Sequence, residues 1–300
     1  MNWNLIRNIA KWLWIFSILA FIFFYAINKR VLIIEMLGSL SLWVLLAATV
    51  LVISAKLCLV KNMCLAVRQF AIQFNFLDCF RVYNLTQMGK YIPGSIWQFV
   101  GRISVLHEQG ISSAAIRDSM LAEHIWVSAS ACILAIVLLL LNGPEFIYSS
   151  LINYTTPFHL SWLIAIILLV ILTVGIVLFK NCKLSYWIVQ LSPPLIALPV
   201  LALTWFFLGA SLWITVLPFA STVPPFFYVV GIYCFAYISG FVVPFAPAGL
   251  GIREAILVFA LSPYVGSNEA ILLAAVNRII YFIVEVLLSG VALRIKMTSS

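Results

Sequence analysis

Two short stretches of this chain carry the residue types that could do chemistry: Lys90-Tyr91-Ile92-Pro93-Gly94 and Pro247-Ala248-Gly249-Leu250-Gly251-Ile252-Arg253-Glu254. Each sets Pro, Gly and charge inside sequence apolar enough to lie in a bilayer. Irregular backbone at membrane depth survives only where protein buries it or it lines a cavity. Ionisable residues there are functional-site candidates by default. A helix that restarts after a Pro/Gly break presents unpaired N–H donors and the positive end of its dipole, which favours an anion. Lys90, Arg102 and Arg253 lie close to such restarts. Together with Pro93, Gly94, Gly249 and Gly251 they are expected to receive a phosphate-bearing group. The opposing expectation is that the breaks only end helices and the charges pair internally, Glu254 with Arg253 and Glu285 with Arg278.

Four further groups join the candidate substrate-binding set: Glu254 beside Arg253, then Glu123, Arg278 and Glu285. Glu123 opens the apolar run 121–141 and offers either a proton-coupling carboxylate or a partner for Arg102 or Arg117. Arg278 and Glu285 are spaced two helical turns apart on one face, which suits a polar stripe toward a bundle interior. Unpaired, each carboxylate would cost several kcal/mol in hydrocarbon, roughly 2–7 even for a neutral polar group. No catalytic residue, metal ligand or cofactor is assigned. His107, His124 and His159 are isolated, there is no HExxH, and no Gly-x-Ser-x-Gly elbow precedes a helix. Ser95 beside Gly94 reads as a turn former. Cys58, Cys64, Cys79, Cys132, Cys182 and Cys234 are scattered without a CxxC pair, so neither a disulfide framework nor a zinc site is indicated.

The elements that must position these residues are helices in a membrane. The chain is 65% hydrophobic and 9% charged, with mean hydropathy +1.16, against about 45–50% and 25% for soluble domains. The net charge of +8 comes from Lys and Arg that flank apolar runs. That is the positive-inside signature and not a nucleic-acid groove. Uninterrupted runs near the ~20 residues needed to span fall at 12–28, 36–55, 121–141, 160–179, 195–217 and 270–293. The first, preceded by Arg7 and Lys11, lacks a small-residue cleavage site and is taken as a retained helix. Two further apolar regions, 70–106 and 226–262, are broken by Pro and Gly and predict re-entrant hairpins of two half-helices.

With a cytoplasmic N-terminus, ten Lys and Arg fall inside, Lys56 among them, and two outside, with five in the membrane segments. Both termini are then cytoplasmic and the two hairpins open to opposite faces. The expected fold is thus an all-α integral membrane domain over 1–300, with about six transmembrane helices and two oppositely oriented re-entrant hairpins. The hairpins belong to inverted repeats, approximately 36–141 and 195–293. Such repeats place a substrate site between halves near mid-membrane. A faint echo supports them: Gly110 with Ser112-Ser113-Ala114 after the first break, and Gly266 with Ser267-Asn268-Glu269-Ala270 after the second.

At these motifs the chain resembles the flippase-like transmembrane domain of lysylphosphatidylglycerol synthases. The resemblance is carried by Lys90 to Trp97 with Gly101-Arg102, by Glu123, and by Pro247 to Ala255, over roughly 30–296. The second motif departs from the family's Pro-Gly-Gly-Leu-Gly-x-Arg-Glu-Ala at Ala248, which removes some backbone freedom at that tip. The resemblance implies a stand-alone member without the synthetase domain. It also implies translocation of a phospholipid or polyprenyl-phosphate-linked glycan across a cytoplasmic membrane, with a phosphate-bearing headgroup at the hairpin tips. A membrane transferase acting on a lipid carrier, with Glu123 or Glu254 as base, is the rival expectation. A non-catalytic subunit of a cell-envelope assembly complex, or a homo-oligomer, is also compatible with these features.

Overall fold

The computed structural model describes residues 38, 40–91, 96–142, 190–243 and 247–297. Within them the secondary structure is helical, in eight α-helices and three short 3₁₀ turns. The long helices are α1 (Leu42–Gln69), α4 (Ser113–Asn142), α5 (Ala197–Val216) and α8 (Ser267–Arg294). All four are long and apolar enough to cross a membrane, α5 counting with its 3₁₀ extension to Phe219. Between them lie the short helices α2 (Phe76–Gln87) and α3 (Trp97–Glu108), then α6 (Phe226–Val242) and α7 (Ile252–Val265). The expected spans 12–28 and 160–179 lie outside the described residues, as do Pro93 and Gly94.

Local chemistry sets the boundaries. The Ser41 hydroxyl caps α1 by accepting from Trp43 N at 3.3 Å. Asn75 and Asp78 cap α2 reciprocally, at 2.8 and 3.3 Å, satisfying two donors that a helix start otherwise leaves open. Gly110 (φ 74°) and Gly266 (φ 91°) each turn the chain from a short helix into a long one. A positive φ is open to glycine at no steric cost.

One expectation needs correction. The run 36–55 was expected to end before Lys56, with Lys56 in a cytoplasmic loop. Instead α1 continues to Gln69, and Lys56 is 1% exposed in its middle. Hydropathy ends a span at the first charges, but a helix carries a lysine through the interior when a carboxylate waits for it. That carboxylate is Glu285.

The order long helix, short helix, 3₁₀ turn, short helix, long helix occurs twice. Packing follows the repetition: α4 packs on α6 as α8 packs on α2, and α1 packs on α5. The corresponding helices α1 and α5 run antiparallel. Ser211 Oγ donates to Ala48 O at 3.1 Å, Cys58 bonds Thr204, and Gln69 Nε2 donates to Gln190 O at 2.7 Å. Their seam is lined by the small buried residues Ala48, Ala55 and Ser211. Close backbone approach of this kind holds helices together where lipid offers no hydrophobic driving force. Gly209 does the same between α5 and α6, where a Cβ would fall 2.8 Å from Val230 Cα. Large apolar side chains such as Trp43, Leu46 and Val50 face outward from α1.

Candidate anion-binding cavity between the two helix sets

Two of the 3₁₀ turns meet. The 3₁₀ turn Met88–Tyr91 contacts the 3₁₀ turn Pro247–Gly249, and the Arg278 guanidinium donates to Ala248 O at 3.0 Å. Beside them lies a cavity of about 360 Å³ with walls from both sets of helices. The first set supplies Tyr83, Lys90, Phe99, Glu123 and His124, and the second Trp205, Tyr237, Gly249, Arg253, Arg278 and Tyr281. Ile96, 57% exposed, and Phe241, 48% exposed, also border it. Its outer edge is therefore apolar.

The expected internal pairings are corrected. Glu285 does not meet Arg278. One of its oxygens takes both Lys56 and Lys90, and the other accepts from the Tyr91 hydroxyl at 2.7 Å. Lys56 also donates to the Tyr281 hydroxyl at 2.8 Å. Glu254 does not pair with Arg253. It lies 3.6 Å from Arg278 Nε and accepts from Gly251 N at 2.7 Å. Glu254 thus occupies the start of α7, where an anion was expected, and serves as that helix's own cap. Arg102 pairs with Glu123, which settles the choice between Arg102 and Arg117; Arg117 meets Asp118 at 2.7 Å.

Arg253 is the exception. Among the described residues no carboxylate lies within 4.0 Å of it. Its guanidinium donates to the Tyr233 hydroxyl at 3.3 Å. It also faces the rings of Tyr233, Tyr237 and Tyr281 at 5.5, 5.5 and 5.8 Å. Aromatic faces attract a cation by their quadrupole but do not neutralise it.

Gly249 (φ 71°) and Gly240 of α6 create the space for this residue. A Cβ on Gly240 would fall 2.6 Å from Arg253 Cγ and 3.1 Å from Gly249 Cα. Ala248 adopts φ 51°. It therefore keeps the left-handed conformation at the tip despite its methyl group.

Of the residues singled out in the sequence, Lys90, Glu123, Gly249, Arg253 and Arg278 line the cavity. Arg102 stands behind Glu123, Glu285 anchors Lys90, and Gly251 and Glu254 shape the α7 start. Sequence reasoning missed Lys56, Gly240 and the tyrosines. Lys56 carried one usable signal, a lone lysine inside a stretch whose apolar pattern resumes after it. The tyrosines carried none, because aromatics abound in membrane helices. No protein-family model matches the chain, and no curated protein matches it.

Proposed function

We propose that the chain is a translocator of lipids with a phosphate-bearing headgroup, in the family its motifs resemble, acting in a cytoplasmic membrane. The cavity would hold the headgroup while the acyl chains stay in lipid. The observation that carries this reading is the cavity's composition: cations in excess on its inner wall and exposed apolar residues, Ile96 and Phe241, at its edge. A phosphate meets the first and an acyl chain the second.

The architecture supports the same reading. Antiparallel corresponding helices and exchanged packing partners fit inverted repeats, whose substrate sites lie at the repeat interface. The short helices, of 12, 12, 17 and 14 residues, fall below the ~20 needed to span. They fit re-entrant hairpins that meet at their tips.

The test is purified protein in vesicles carrying labelled phosphatidic acid, a phosphate monoester, and in parallel a labelled phosphodiester lipid, with leaflet exchange of each followed by quenching. Translocation is expected for the native chain. Arg253→Ala should lose it while melting near the native temperature, because no carboxylate is stranded. Chemical conversion of the lipid would favour the transferase. Native leaflet exchange no faster than in empty vesicles refutes the proposal.

A further inference from the structure

Charge balance in the cavity points to a narrower class of ligand, given that the cavity is the headgroup site proposed above. Two of its ion pairs cancel, Arg102 with Glu123 and Arg278 with Glu254. The third does not, because Glu285 is shared by Lys56 and Lys90 and leaves one positive charge over. Arg253, with no carboxylate of the described residues within 4.0 Å, adds a second. Both surplus charges border the cavity beside one ring: Lys90 Nζ lies 5.0 Å and Arg253 Cζ 5.8 Å from the centre of Tyr281. Lys56 is fully buried and keeps Glu285 company when Lys90 turns toward a ligand.

We infer that the cavity selects a headgroup bearing two negative charges, a phosphate monoester or a diphosphate, over a phosphodiester or a zwitterion. A monoanion leaves one of the two cations unmatched in a poorly solvated site. A zwitterion brings a further positive charge into a field that is already positive. Discrimination of this kind comes from what the wrong ligand leaves unpaired.

The test uses the full chain in neutral maltoside micelles at about pH 8, where a phosphate monoester with second pKa ≈ 6 is doubly charged. Titration calorimetry compares dodecyl phosphate with its methyl ester, the same chain carrying one charge. The monoester is expected to bind at least about tenfold more tightly, the scale of one charge-assisted contact. Equal affinities overturn the inference. Arg253→Gln should bring the ratio close to one, and Lys90→Gln should act in the same direction if the first variant fails to fold. An unchanged ratio in the folded variants also overturns it. Inorganic phosphate separates the two sources of a dianion. If it binds as tightly as dodecyl phosphate, the charge selection stands and the lipid reading falls. If a phosphodiester lipid is transported while dodecyl phosphate fails to bind, the lipid reading stands and the charge selection falls.

Discussion

Removing the Glu285 carboxylate takes the shared counter-charge from two cations at once. Glu285 is 2% exposed and serves Lys56, Lys90 and the Tyr91 hydroxyl together. Glu285→Gln keeps the shape and one acceptor oxygen but leaves Lys56, itself 1% exposed, without a counter-charge, held only by an amide oxygen and the Tyr281 hydroxyl. Breaking a buried pair from one side costs about 3–5 kcal/mol. At about 2–3 °C per kcal/mol for a chain of this size, the melting temperature should fall by about 6–15 °C. Lys90→Met is the matched control. It leaves the Lys56–Glu285 pair intact and exposes its own gap to the cavity, so it should cost less than about 1–2 kcal/mol, the net worth of one hydrogen bond. The double variant Lys56→Met with Glu285→Gln should recover part of the loss, since the fully buried cation is gone and Lys90, at the cavity wall, is the one left without its carboxylate. Thermal unfolding in maltoside, followed by tryptophan fluorescence, measures all three. A fall for Glu285→Gln no larger than for Lys90→Met would refute the shared-carboxylate reasoning.

Three further outcomes are expected. Ala248→Gly should raise stability by up to about 1 kcal/mol by relieving the left-handed conformation at φ 51°, which costs an L-residue about 1–2 kcal/mol; a lower melting temperature would contradict this. Asn62 is fully buried with neither side-chain polar atom hydrogen-bonded among the described residues. Asn62→Leu should therefore stabilise the chain by about 1–3 kcal/mol, the penalty of an unsatisfied buried group, read from the same melting curves. Gly240→Ala should push aside the Arg253 stem, 2.6 Å from the added methyl. It is expected to cost about 1–3 kcal/mol by overpacking and to weaken alkyl phosphate binding in the same titration.

Hydropathy and turn chemistry made the helical fold legible from the letters alone. The runs at 121–141 and 270–293 appear as α4 and α8, each extended at its ends. The two Pro/Gly regions resolve into pairs of short helices flanking 3₁₀ turns. Such features depend on residues within a turn or two of one another, so a linear pattern contains them. The shared face of Arg278 and Glu285 was legible for the same reason, and so was the turn at Gly266.

Only the tertiary structure decided which charge answers which. Glu285 and its partners Lys56 and Lys90 are 229 and 195 residues apart, and no local pattern distinguishes them from the nearer Arg278. That choice depends on α8 packing against α1 and against the Met88–Tyr91 turn. The same packing leaves Arg253 among tyrosines and gives Gly240 its purpose beside the guanidinium stem. Composition and periodicity determined that charges stand inside a membrane-like bundle. Which of them share the cavity is set by long-range helix docking, because a charge balance exists only once its members share one space.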